Sequence, residues 1–156
     1  MQDFVHLHVH THYSLLDGQA SVSRLVDKAM KDGMKGIAIT DHGNMFGIKE
    51  FINYGSRKNK GGAPEERFKA IIGCEMYVAR RGKGKREGKQ DQSGWHLIVL
   101  AKNEKGYHNL IKLVSRAWTE GYYMRPRTDR KDLEKYHEGL IVCSACIGGE
   151  VPKKIL

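Results

Sequence analysis

Apolar and polar residues alternate along this chain at two spacings, and the spacing assigns most of its elements. Val22, Leu25, Val26, Ala29 and Met30 recur every three or four positions, which predicts an amphipathic helix with Ser21 as its cap and Gly33 as its stop. Residues 36–40 form a short apolar run that reads as a buried strand, ended by Asp41-His42-Gly43. A second helix is expected over residues 45–57, followed by a Gly- and Lys-rich loop through Glu66 and a strand over 70–78. Residues 96–101 read as another strand, and Asn103 caps a helix that buries Leu110, Ile111, Leu113 and Val114. Residues 118–130 have no clear period. A short helix over 131–136 then leads through Gly139 into a strand over 140–144. Strands alternating with helices predict an α/β fold with a largely parallel sheet or barrel, in which chemistry collects at the C-terminal ends of the strands.

The alternation near the N-terminus carries the candidate chemistry. If residues 4–12 are extended, His6, His8, His10 and His12 share one face while Val5, Leu7 and Val9 share the other. Crowded imidazoles repel one another when protonated, and neutral ones suit zinc, iron or manganese. Other donors follow apolar runs elsewhere: His42 after residues 36–40, Glu75 after 71–74 and Cys146 after 140–142. His96 begins its strand instead of ending it. It reaches the same rim only if residues 76–95 form a hairpin, so that the 96–101 strand runs antiparallel to its predecessor.

Composition narrows the picture. A chain of 156 residues can bury a core as one domain, and 40% hydrophobic with 29% charged residues is ordinary for a soluble globular protein. No apolar run approaches membrane-spanning length, and Asp3 and the histidines interrupt any signal-peptide core. Three cysteines are a small, odd set, which points to a reducing cytoplasm. The net charge of +9 favours an anionic partner, nucleic acid first. Arg80, Arg81, Lys83, Lys85, Arg86 and Lys89, opposed only by Glu87, are expected to form a mobile loop whose charges contact phosphates. Trp95, Trp118, Tyr122 and Tyr123 lie near it in sequence but are expected in the core. Cys143-x-x-Cys146 has zinc-knuckle and redox spacing, yet one such pair is a weak signal and Cys143 sits in an apolar strand. Ser14 near His10 has no Gly-x-Ser-x-Gly turn to support a serine hydrolase.

Several ordered motifs carry a resemblance: Leu7-His8-Val9-His10-Thr11, Ser14-Leu15-Leu16-Asp17-Gly18, residues 38–47 around Asp41-His42, residues 72–78 around Glu75, residues 96–103, and residues 139–150 around Cys146. Together they resemble the polymerase and histidinol phosphatase (PHP) domain, in the form found at the N-terminus of bacterial replicative DNA polymerases. The resemblance implies a distorted seven-stranded (β/α) barrel holding about two or three divalent ions at one rim for phosphoester hydrolysis. It marks His8 and His10 as the first ligand pair, then Asp17, His42, Glu75 as a bridging carboxylate, His96, and Cys146 where many relatives carry histidine. Asp41 is implied as an orienter beside the ligands, and His6 and His12 match no ligand. The family's closing Asp-x-His pair has no counterpart after Cys146, so the resemblance implies a barrel truncated before its last strands. The palm, fingers and thumb, where magnesium would serve, are absent. The activity implied is a 3′–5′ exonuclease or pyrophosphatase. The alternative is an inactive module that stabilises the polymerase and docks a proofreading subunit. Implied partners are DNA, the remainder of the polymerase chain and other replisome subunits.

Overall fold

The computed structural model describes residues 4–61, 63–64 and 67–156. They run α1 (Val22–Lys31), β1 (Gly36–Ile39), α2 (Ile48–Lys58), β2 (Lys69–Val78), β3 (Trp95–Ala101), α3 (Glu104–Thr119), β4 (Arg127–Thr128), α4 (Arg130–Tyr136), β5 (Leu140–Cys143) and α5 (Glu150–Ile155). The capping residues act as their chemistry requires. Ser21 accepts from Arg24 N, Asn103 from Gly106 N and Asp129 from Asp132 N, each satisfying a donor that the first helical turn leaves over. Helix α2 begins at Ile48, a few residues later than its pattern suggests, because Asn44 Oδ1 takes the Phe46 amide and holds the preceding turn outside the helix. The expected polar loop before β2 lies partly outside the described residues, at Gly62, Glu65 and Glu66.

Strand β2 changes partner half-way. Its first half runs parallel to β1, with Ile39 opposite Ile72, and its second half runs antiparallel to β3, with Tyr77 opposite His96. Strand β5 is antiparallel to β3 on the far side, and the two-residue β4 pairs in parallel with the end of β2. The sheet is therefore mixed, not largely parallel. The segment between β2 and β3 has no apolar helical face with which to cross over the sheet, so it closes a hairpin instead. The sheet is also open. Its five strands do not close into a barrel.

The period of two in β2 sorts its side chains. Cys74 and Met76, with Val99 of β3, pack on Leu110, Leu113 and Val114 of α3. Ile37 and Ile39 pack with Val22, Val26 and Phe51 from α1 and α2. The opposite face holds only a small core of Ala38, Ile98 and Leu100, and Glu75 lies on that side of β2 by alternation.

The histidine-rich segment is not a strand. It follows the outer edge of β1: Ala38 N donates to His6 O and Thr40 N to Val9 O, both at 2.9 Å. Three residue steps from His6 to Val9 thus match two from Ala38 to Thr40. The surplus residue acts as a bulge and breaks the two-face alternation. As a result Phe4 and Leu7 are exposed, His6 turns to the Phe4 ring, and His12 lies over Tyr13.

Candidate metal centre

Glu75 is fully buried and surrounded by imidazoles. His8 Nε2 lies 3.0 Å and His10 Nε2 2.9 Å from its Oε2, and His42 Nδ1 lies 3.2 Å from the same oxygen. His96 Nδ1 donates to Oε1 at 2.6 Å. The segments that deliver these groups explain the convergence. His42 follows β1 and pairs with Glu75 by an isolated bridge, and the hairpin brings His96, the second residue of β3, back beside β2. Cys146, beyond the end of β5, sets its Sγ 3.7 Å from Glu75 Oε1 and 3.6 Å from His96 Nδ1. Gly148 makes room there, since a Cβ on it would come within 3.1 Å of the His96 ring. Glu75 therefore lies within β2 and not at its end. The strand-end rule holds for β1 and β5, and the carboxylate sits where β2 exchanges one neighbour for the other.

Asp17 completes the group from the exposed side, with Oδ2 2.8 Å from His42 Nε2. Asp41 touches none of the rings. Its buried carboxylate accepts from Thr11 N at 2.7 Å, Thr11 Oγ1 at 2.8 Å and Ser14 Oγ at 2.6 Å. Ser14 therefore gives its proton to Asp41 and accepts from His10 Nδ1 at 2.9 Å and from the His42 amide at 3.1 Å. Asp41 orients the site through this serine. The sequence reading did not find Ser14 in that role. The His10-x-x-x-Ser14 spacing is its only trace in the sequence.

The electrostatics follow from these contacts. Burial opposes the charge on Glu75, but hydrogen bonds from His10, His96 and His8 outweigh it and hold the carboxyl far below its ordinary range. The bond to Glu75 raises His10 despite its burial, whereas desolvation lowers His42 despite Asp17. Both ring nitrogens of His10 face oxygens, Nδ1 that of Ser14 and Nε2 that of Glu75. Burial pushes the Cys74 thiol up, and it donates to Asp41 O inside the core.

These donors fit a divalent ion. His8 Nε2, His10 Nε2 and Glu75 Oε2 make a triangle with edges of 3.0, 3.0 and 2.9 Å. Two nitrogens aimed at one carboxylate oxygen can be joined to it by protons or by one shared cation, and donors around a small divalent ion stand about 3.3 Å apart. His42 Nδ1 is buried with no hydrogen-bond partner, although it faces Glu75. Three overlapping groups could each hold an ion: His8, His10 and Glu75; His10, Asp17 and His42; His42, Glu75 and His96. His6 and His12 reach none of them.

Residues 6–156 match the family described as the PHP domain. The chain belongs to the PHP domain family. Its relatives include the DNA polymerase III subunit alpha of Borreliella burgdorferi, 53% identical over 98% of this chain, and that of Treponema pallidum, 49% identical over 98%. The chain spans only 13% and 12% of those two proteins. A protein of Bifidobacterium adolescentis described as a candidate metal-dependent phosphoesterase superposes with a TM-score of 0.48 at 20% identity, over 72% of this chain and 32% of its own.

The basic segment of this PHP domain, expected as a mobile loop, makes many contacts with the rest of the fold. Arg127, on β4 and fully buried, donates to Gly121 O, Lys85 O, Asp91 O and Lys83 O at 2.6–3.0 Å, so one guanidinium holds the loop's backbone. Arg81 pairs with Asp91 and Glu87, and Lys83 with Asp132 and Glu120. The cation that lines the cleft of about 480 Å³ beside His42 and His96 is Arg125, from the stretch that has no periodicity. Trp118 and Tyr122 also line that cleft and are exposed, contrary to the core expected for them. Among the described residues no helix is long and apolar enough to cross a membrane.

Proposed function

We propose that this PHP domain is a metal-dependent phosphoesterase module of a bacterial replicative DNA polymerase, acting on phosphodiester or pyrophosphate bonds. The observation that carries the reading is the buried Glu75 carboxylate with imidazoles on both of its oxygens. His8, His10, Asp17, His42, Glu75, His96 and Cys146 are the proposed ligands for about two or three ions. Imidazole, carboxylate and thiolate together suit zinc, manganese or iron better than magnesium. When bound, such ions lower the pKa of a water and neutralise charge on the phosphoryl oxygens. The protein's own part is to hold His10 through Ser14 and Asp41, to bridge with Glu75, and to offer Arg125 to an entering phosphate. For this domain within its parent chain we propose 3′–5′ exonuclease or pyrophosphatase activity. Nucleotidyl transfer would belong to palm-type carboxylates outside this site. The open sheet is read as the first strands of a (β/α) barrel, and the setting as cytoplasmic, in line with three free cysteines.

For the basic segment we propose sequence-independent contacts to DNA phosphates through the exposed Lys85, Arg86 and Lys89, with a smaller share for Arg80, which lies over the Trp95 ring. A second reading is a packing module for the rest of a polymerase and a proofreading subunit. Ile141, Val142, Ile147 and Val151, exposed around β5 and α5, favour it. Hydrolysis of bis(p-nitrophenyl) phosphate by chelator-stripped protein reloaded with manganese or zinc separates the two. Turnover that returns with metal and is lost in Glu75→Gln supports the phosphoesterase. No turnover with any of these metals leaves the packing module.

A further inference from the structure

At one end of the cleft three aromatic rings stand in a row at the surface. Trp118, Tyr122 and Phe46 are 42%, 48% and 63% exposed. The Trp118 and Tyr122 rings are stacked with centroids 5.6 Å apart and planes 19° apart, and the Phe46 ring lies 6.3 Å from that of Trp118. Large apolar rings in a contiguous exposed row mark a contact surface, whereas scattered single ones do not. These rings are also held in place. Trp118 Nε1 donates to Gly43 O at 2.8 Å, and Gly43 adopts φ +61° against Pro126, where a Cβ would come within 2.6 Å of the proline ring. Gly43 adjoins His42, so the hydrogen bond that fixes the indole ties it to the backbone of the candidate metal centre.

The cleft also holds a cation. Arg125 lies over the Tyr77 ring at 5.8 Å, and Tyr77 in turn stacks on His42. The same cleft holds the Trp118, Tyr122 and Phe46 rings, the Arg125 guanidinium and, from the candidate metal centre, Asp17, His42 and His96. The ligand that matches these groups has flat π-faces and a phosphate. We propose that Trp118 and Tyr122, flanked by Phe46, are a stacking platform for unpaired bases, and that they select a single-stranded nucleic-acid end over a duplex. Arg125 receives the phosphodiester that follows those bases. The placing of that bond at the metal centre rests on the phosphoesterase reading above; the platform itself does not. A duplex keeps all but its terminal base faces inside its own stack, whereas a single strand can offer successive bases to the rings. Stacking is indifferent to base identity, so discrimination is between unpaired and paired ends and not between sequences.

The test uses the full chain in chelator, so that no strand is cut and binding is read alone. Anisotropy of a labelled oligo(dT) and of a blunt duplex of equal length should give tighter binding to the single strand. Tyr122→Ala and Trp118→Ala should each weaken single-strand binding about tenfold and leave duplex binding unchanged, while Trp118→Phe retains most of it. Tyr122→Ala guards against a folding defect, since Trp118→Ala also removes the bond to Gly43. Equal affinity for the two ligands, or a Tyr122→Ala isotherm that overlays the parent's, overturns the platform and leaves the row as a protein-contact surface. Because binding is measured without metal, a failure of hydrolysis would strike the phosphoesterase reading and not this one.

Discussion

His96 Nδ1 lies 2.6 Å from Glu75 Oε1, joining the first residues of β3 to the middle of β2. Only an antiparallel return allows it. Had a helix carried the chain across to a parallel β3, the start of that strand would lie at the opposite end of the sheet from the metal centre. The hairpin is therefore part of the site, and whatever holds its loop also supports the ligands.

Arg127 is the residue that holds that loop, so Arg127→Met should destabilise the whole domain. The substitution leaves several buried carbonyls without a donor, at a cost of about 3–5 kcal/mol by analogy with a broken buried ion pair. Urea unfolding measures the loss, and amide exchange should quicken over residues 83–91 before it does in α3. A stability change below about 1 kcal/mol would mean that the loop finds other partners.

Ser14→Ala should lower metal affinity about 10–100-fold without unfolding the protein, as removal of an outer hydrogen-bond partner does at other metal sites. Ser14 passes the Asp41 charge to His10 and fixes which ring nitrogen is left for the ion. Ser14→Thr keeps the hydroxyl and should recover part of the loss. Calorimetric titration with manganese or zinc reads both variants, and an Ala variant equal to the parent would remove Ser14 from the site.

Asp91 is predicted to make stability depend on acid. Its carboxyl is held down to about 2, chiefly by the bond from Arg81, against about 3.9 for an unfolded Asp. A depressed carboxyl stabilises above the unfolded value, and the contribution fades as pH falls from about 4 toward 2. The gap in urea midpoint between the parent and Asp91→Asn should thus be full at neutral pH and narrow across that window. A gap that stays constant would place the effect of Asp91 in its backbone contacts.

The basic segment divides into two kinds of lysine. Lys83 is tied to Asp132 and Glu120, so Lys83→Ala should cost about 2 kcal/mol of stability with little direct effect on DNA. Lys85→Ala with Lys89→Ala should leave stability nearly unchanged, weaken DNA binding and reduce the slope of log affinity against log salt by about 2. Filter binding at several salt concentrations distinguishes them, and an unchanged slope would leave the segment a plain connector.

Legibility in the sequence followed the range of the forces involved. Helices α1 and α3 were readable because a cap and a repeating apolar face are local, and Ser21 and Asn103 cap as expected. His8, His10, His42, Glu75 and His96, singled out by spacing and resemblance, lie together in the fold, and the hairpin condition on His96 is met. The extended reading of residues 4–12 failed because a bulge against β1 depends on a partner that the pattern does not contain. A buried arginine on a two-residue strand is invisible to periodicity, so Arg127 and the loop it orders were missed. Trp118 and Tyr122 were assigned to the core on composition, and their exposure follows from the bond to Gly43 and the turn after α3.

Whether the imidazoles gathered on Glu75 are metal ligands is decided by a metal titration of variants at the four alternate histidines. Chelator-stripped protein should bind manganese or zinc tightly. Replacing His8 and His10 together by Ala should abolish that binding, and replacing His6 and His12 together should leave it nearly intact. Glu75→Gln should lower the number of ions bound, because a carboxylate can serve two ions where an imidazole serves one. Equal losses from the two histidine pairs, or no tight binding by the parent protein, would contradict the account.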